Sequence, residues 1–437
     1  MRTFRDRAAR LYDWLAAISH ARFILGLAIL ALLPRIAAVV AGGNFSNPEL
    51  YETGIIAQNI LHGNGYAMYT GFPLPRNTIT EEESRTGRPA PSAFTLPGYV
   101  AVMTAVFAVF GATSSGVVVL YVLNILVGVL AVFLAYLLMR TLFSEGSARI
   151  ASLLFAVHPP AIALALTFGG GPWYQAVLLL GITSVVFAVR RGTVADAIRA
   201  GIIGGIWILF RAEATALAVL FSLWLFRKQG VRVASVYFAC VVLVAAPWPI
   251  RNTNAFGSFV PLTTNSWLNI WRGFNPEATG GAFDPSGVSN FFDSRGEIVG
   301  EVRALPVTAR RELDVAEIYK RRALAFITGH PGEAAALYAK KILMVFTVDF
   351  SDKRTLTPAF LLPHVGLTLC ALACLVFLLR KRADLRPLLA VVVFYWLMLP
   401  CFHIETRYLL MLSAVYFVLL GGGLHILRTP STQSAEL

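Results

Sequence analysis

Charge is scarce in this 437-residue chain: only 14% of its residues are Asp, Glu, Lys or Arg, where a soluble domain carries about a quarter. That shortage, with 57% hydrophobic residues and a mean hydropathy of +0.67, excludes a water-soluble enzyme and implies an all-α polytopic membrane protein. Cysteine is sparse too. Cys240, Cys370, Cys374 and Cys401 lie in or at the ends of apolar segments, which excludes a disulfide framework and a metal knuckle. The seven histidines are scattered without an HxxxH pair, so zinc is not expected. There is no GxGxxG and no phosphate-loop motif. No small-residue cleavage site follows the first apolar stretch, which therefore reads as a retained helix behind a basic amphipathic start over 1–21 (Arg2, Arg5, Arg7, Arg10). No internal repeat is evident.

What charge there is carries a pattern. The net charge of +13 is gathered in short turns between apolar segments, the mark of a cytoplasmic membrane face rather than of nucleic-acid binding. The turns are Arg140 with Arg149, Arg190-Arg191 with Arg199, Arg227-Lys228 with Arg232, and Arg380-Lys381-Arg382 with Arg386. Placing each turn on one side predicts spans at 22–42, 115–139, 148–168, 173–189, 197–210, 212–227, 233–249, 357–379, 386–402 and 406–427. The parity closes only if the apolar segment 94–111 is re-entrant or interfacial; a plain eleventh span is the alternative. Three regions result: a transmembrane module 1–249 with a first outer loop 43–114, an outer loop 250–356, and C-terminal spans 357–437. Helices are expected in the outer loop at 306–328 and from Pro331 to about Val348, the second lying on the membrane surface. The expected setting is a bacterial inner membrane, with the loops facing the periplasm.

The unusual polar residues all fall on that outer side. Asn44 to Tyr66 places Glu49 and Glu52 at i, i+3 spacing, predicting one face of a short helix that starts at Pro48 and stops at His62-Gly63-Asn64-Gly65. Gly169-Gly170-Gly171-Pro172-Trp173, Arg211 with Glu213 at a turn between two short spans, and His403-Ile404-Glu405-Thr406-Arg407-Tyr408 join it. Charge at membrane depth points to a site. Glu81 to Glu83 read as solvated loop, and Gly421 to Gly423 as close helix packing.

A carboxylate near a membrane, ringed by arginines, suits sugar transfer from a lipid-linked phosphate. Arginines hold the phosphate and stabilise the charge that grows as it leaves. The carboxylate takes the proton of the attacking hydroxyl or amine. One-step displacement inverts the anomeric centre. No nucleoside triphosphate is available outside a bacterial membrane, so the donor is expected to be lipid-bound. A divalent cation could sit on Glu49 with water and the donor phosphate.

The order of these motifs resembles the C-type glycosyltransferase fold of glycosyltransferase family 39, the protein O-mannosyltransferase and lipid A aminoarabinose transferase superfamily. Tyr51-Glu52-Thr53-Gly54 through Gly63-Asn64-Gly65-Tyr66 is similar to its Tyr-Glu-Tyr-Gly to Gly-x-Gly-Phe stretch. Pro91-Ser92-Ala93-Phe94-Thr95-Leu96-Pro97-Gly98-Tyr99, Phe110-Gly111, Pro247-Trp248-Pro249-Ile250-Arg251-Asn252 and Asn275-Pro276 resemble further family motifs. The resemblance implies about 10–11 transmembrane helices, interfacial helices in the first outer loop, and a polyprenyl-phosphate sugar as donor. It places the base on Glu49, with Glu52 as rival. The second acidic position of the family falls on Leu50. The family's phosphate-clamping lysine falls on Thr95, so another cation must serve: Arg407, Arg251 or Arg211, with Arg272 fourth. Tyr51, Thr95, Asn252, Asn275 and Tyr408 are expected to line the site. The expected activity is transfer of a sugar from a polyprenyl-phosphate donor to a lipid, glycan or protein acceptor. A flippase of lipid-linked glycans and a non-catalytic envelope subunit are the other readings.

Overall fold

A computed structural model describes residues 17–69, 88–284 and 295–428, with Tyr12, Trp14, Leu15 and Gly287. Most of the basic start, Glu81 to Glu83 and Arg85 lie outside these residues. The chain is a multi-pass helical membrane protein whose one sheet, among the described residues, is a two-stranded hairpin.

The first helix, α1 (His20–Gly42), buries a stripe of Phe23, Leu27, Ala31, Arg35 and Val39, spaced at four residues. It gives way to Asn44, which makes an Asx turn with Asn47 (2.6 and 3.0 Å). The helix α2 (Tyr51–Leu61) then starts three residues later than the sequence suggests. Glu49 therefore precedes the helix, and only Glu52 lies in its first turn. The reason is local. Tyr51 has φ +54°, the one positive φ outside glycine among the described residues, so helical geometry cannot extend back through it. The glycine stop is present, with Gly63 at φ +80° and Gly65 at +70°. Strands β1 (Ala67–Tyr69) and β2 (Pro89–Pro91) pair antiparallel and lead into α3 (Pro97–Phe110). At 14 residues α3 is about 21 Å long, short of the ~30 Å hydrocarbon layer.

The bundle follows: α4 (Ser114–Leu142), the bent pair α5 (Glu145–Ala156) and α6 (Pro159–Ala163), α7 (Gly171–Arg191), α8 (Val194–Phe210), α9 (Ala214–Gln229) and α10 (Val231–Ala245). The α5–α6 axis bends by 56° at a proline pair. Pro160 leaves the Ala156 carbonyl without its usual i+4 donor. Arg35 fills that place from α1, donating to Ala156 O at 3.1 Å and to Ala31 O at 2.7 Å. Gly128 on α4 makes room; a Cβ there would lie 2.9 Å from Arg35 Nε.

The helix expected to end at 249 runs on as α11 (Pro247–Phe256), because a proline in the first turn of a helical segment gives up little. Helices α12 (Ser266–Gly273), α13 (Glu297–Ala304), α14 (Arg311–Gly329) and α15 (Pro331–Phe346) form the long loop, close to the expected 306–328 and 331–348. The last three are α16 (Pro358–Lys381), α17 (Arg386–Met398) and α18 (Thr406–Arg428). Helix α18 is central: an almost unbroken run from Leu409 to Leu419 is buried. Gly421 to Gly423 do pack closely, and a Cβ on Gly423 would fall 2.2 Å from Cys374 Sγ.

Helix accounts for all ten expected spans. By length and composition six described helices can cross a membrane, or seven with the bent pair as one span. The other three, α8, α9 and α17, have 17, 16 and 13 residues. They reach about 20–26 Å and fall short of the hydrocarbon thickness.

Helix α10 lies against α8 with almost no gap. A Cβ at Gly201 would meet Cys240 Cβ and the Tyr237 carbonyl, both at 2.5 Å, whereas one at Gly26 would meet nothing within 4 Å. Gly201→Ala is expected to cost about 1–3 kcal/mol through overpacking. Gly26→Ala should be neutral or slightly stabilising through helix propensity. Thermal denaturation in detergent compares the two; equal midpoints would show that the α8–α10 seam yields.

Candidate active site

The site forms where the long loop meets the start of α18. The extended segment before α18 is pinned from two sides: His403 N donates to Asn269 O (3.2 Å) and Ile404 N to Gly280 O (2.9 Å). Gly273 permits this approach, since a Cβ there would lie 2.7 Å from the Phe402 carbonyl. Buried Lys341 of α15 donates to the Gly273 carbonyl at 2.9 Å and lies over the Phe274 ring.

The pinning presents Glu405 as the residue whose carbonyl opens α18, accepting from Tyr408 N at 2.9 Å. Its carboxylate takes three partners. Arg272 Nη1 donates at 3.1 Å, His403 Nε2 lies at 2.8 Å, and Arg407 Nε at 2.5 Å. Burial would raise the pKa of this carboxyl, but Arg407, His403 and Arg272 hold it well below the usual range. Burial and Arg272 push His403 down to about 4, so the imidazole is neutral at pH 7. Its Nε2 proton then goes to Glu405, and Nδ1 is left buried without a partner. Arg407 occupies the first turn of α18, where the helix dipole disfavours a cation. Glu405 and aromatic faces offset this.

Those faces form a ladder. Arg407 lies 6.0 Å from the Tyr51 ring and 5.4 Å from that of Tyr408. Arg211 lies 5.3 Å from the Tyr408 ring and 4.9 Å from that of Tyr174. Arg211 also pairs with Glu213 at 2.6 Å. Glu52, half-buried, feels Arg407, Glu405 and Arg272, and burial raises its pKa despite the arginines. Exposed Glu49 hydrogen-bonds the Tyr51 hydroxyl, whose pKa burial and Glu49 raise to about 12. Arg354 is in electrostatic reach of both Tyr51 and Glu49.

Of the residues expected from sequence, Glu49, Tyr51, Glu52, Arg211, Arg272, Arg407 and Tyr408 come together. Four others are engaged elsewhere. Arg251 donates to Ser92 O and Tyr66 O, each at 2.6 Å, and to Asn252 Oδ1 at 3.1 Å. Asn252 donates to Val260 O and Leu262 O. Asn275 closes a turn through Trp271 O and Glu277 N. Thr95 meets the Tyr66 hydroxyl. The arrangement adds Glu405, His403, Glu213, Tyr174 and Arg354. The first three stood out as polar residues without a role; the last two carried no signal beyond neighbouring motifs. Among the described residues no three His, Cys, Asp or Glu side chains gather as a metal site requires. The Glu405 cluster suits an anion, since two guanidinium groups, Arg272 and Arg407, surround a single carboxylate.

Compared with solved structures, the chain matches over nearly its whole length. Against an oligosaccharyltransferase of Archaeoglobus fulgidus, solved with zinc and sulfate, 93% of this chain aligns at 16% identity with a TM-score of 0.55. The chain has the C-type glycosyltransferase fold. A second structure of that archaeal enzyme, AglB, bound to an inhibitory peptide and a dolichol-phosphate, aligns with 94% of the chain at 17% identity and a TM-score of 0.56. The C-type fold here spans 49% and 51% of the two archaeal chains. By sequence, 161 residues are 30% identical to YycA of Bacillus subtilis (strain 168), a protein with a provisional mannosyltransferase name. That segment is 34% of this chain and 24% of YycA. No protein-family model matches.

Glu405→Gln removes the one anion shared by three groups and is expected to cost about 3–5 kcal/mol. The wild-type carboxyl has a depressed pKa. Its contribution is therefore present above the ordinary glutamate value of 4.5 and is lost as pH falls below it, toward the folded pKa. Melting curves between pH 7 and pH 3 should show a steeper acid loss for wild type than for Glu405→Gln. Parallel curves would mean the carboxylate is not held in its charged form.

Proposed function

We propose that the chain transfers a sugar from a polyprenyl-phosphate donor to an acceptor, with inversion, on the periplasmic face of a bacterial inner membrane. One observation carries this reading: a carboxylate and a guanidinium both meet Tyr51, Glu49 at its hydroxyl and Arg407 at its ring. Displacement at a sugar needs both a base and a leaving-group clamp, and Tyr51 brings one group of each kind into the same place.

In this mechanism Glu49 takes the proton from the acceptor hydroxyl or amine as that atom attacks the anomeric carbon. The bond from this carbon to the phosphate oxygen breaks, and the charge left on the phosphate falls to Arg407, Arg272 and Arg211. Glu52, facing Arg407 and held toward its neutral form, is the lesser candidate for base. Arg251 is assigned to anchoring the first loop, because its guanidinium is taken up by two carbonyls and an amide oxygen. The isoprenoid tail lies between spans. Acidic residues and arginines at the loop-rich end of a C-type fold support the reading, as does the dolichol-phosphate bound to AglB.

The test uses purified protein in lipid with a panel of radiolabelled polyprenyl-phosphate sugars. Glu49→Gln should bind a donor as wild type does and consume it at least about 100-fold more slowly. Glu52→Gln should keep measurable turnover, and Arg407→Ala should weaken donor binding itself. Turnover surviving in Glu49→Gln but lost in Glu52→Gln would move the base to Glu52. A donor carried across the bilayer uncleaved would replace the transferase reading with a transporter.

A further inference from the structure

The other end of the bundle carries a feature that transfer chemistry does not use. Arg227 and Lys228 end α9, Arg232 begins α10, and Gly230 (φ +83°) joins them. All three cations are exposed, and none has an ion pair among the described residues. The acid within electrostatic reach of Lys228, Asp384, is already held by Arg382 through two contacts of 2.9 Å.

Beside these cations, along the α9–α10 seam, runs an apolar groove of about 460 Å³. Leu223, Phe226, Val231 and Phe238 line it, with Ser222 and Ser235. Its origin lies in what the two helices pack against. Glycines 201, 204 and 205 draw α10 onto α8. Gln229 ties the end of α9 to α7 through the Val189 carbonyl at 2.5 Å. The two helices also pack on each other, and with α10 drawn onto α8 and the end of α9 tied to α7 the groove lies on the outward side of their seam.

We propose that this groove is a binding site for an anionic phospholipid of the leaflet on the basic side. One acyl chain lies in the groove, and the head-group phosphate meets Arg227, Lys228 and Arg232. Charge selects the occupant: three cations without ion pairs at the mouth favour a lipid of net negative charge over a zwitterionic one. The inference is independent of the transferase reading.

The test is native mass spectrometry of the purified full chain, given phosphatidylglycerol or phosphatidylcholine with identical acyl chains. Wild type should retain phosphatidylglycerol about tenfold better. The R227Q/K228Q/R232Q variant should bind the two lipids alike, and Ser235→Trp, which fills the groove, should lose the retained phosphatidylglycerol. All four positions are exposed, so the helices themselves are not disturbed. Equal retention by wild type, or a preference that survives the triple substitution, overturns the proposal. So does displacement of the lipid by glycerol 3-phosphate at matched concentration, which would mean that the acyl chain contributes nothing.

Discussion

One carboxylate serves three cation-capable groups. Glu405 lies between Arg272, which comes from the long loop, and His403 and Arg407, which flank it in sequence. Each of these groups is costly to bury alone. Together they fix the loop to the start of the central helix, so the geometry of the long loop and the direction of Arg407 are one constraint. The backbone agrees with the side chains. The bonds from His403 and Ile404 to the loop hold the same two segments in the same register.

From that point the site extends by stacking and by the ion pair of Arg211 with Glu213. Tyr408 meets both Arg407 and Arg211, while Tyr51 also meets Arg407 and Tyr174 also meets Arg211. Stacking on an aromatic face leaves the N–H edge of a guanidinium available to anions, and here Glu405 meets Arg407 Nε and Glu213 meets Arg211 Nε. Tyr51 reaches its place only in a left-handed backbone conformation, a local cost of the kind found where a side chain must be aimed. Gly54 helps by letting the Leu50 side chain fold onto the helix, since a Cβ there would meet Leu50 Cβ at 2.4 Å.

The helices, their order and the bend at Arg211–Glu213 were legible because apolar length and basic turns record membrane crossing directly. The gathering of Glu52, Arg272 and Arg407 was legible only as a shared side, since sequence reports which end of a bundle a residue occupies and not which neighbours it meets. Arg251 shows the limit: beside Pro-Trp-Pro it reads like a phosphate ligand, yet backbone carbonyls take up its guanidinium. An i, i+3 spacing presumes a helix and so puts Glu49 and Glu52 on one face, whereas the positive φ of Tyr51 interrupts that helix between them. Tyr174 was invisible because its ring direction depends on Gly170, where a Cβ would lie 2.7 Å from the ring.

Arg35 adds a matter of timing. The first helix carries a buried guanidinium whose partner, the Ala156 carbonyl, lies 121 residues further along the chain. During synthesis, α1 must therefore enter the bilayer with that charge only half satisfied, through its own Ala31 carbonyl. It reaches its final environment when α5 and α6 have been made and have bent. One side chain thus ties the first helix to the bend between α5 and α6, and its environment is complete only when both are in place.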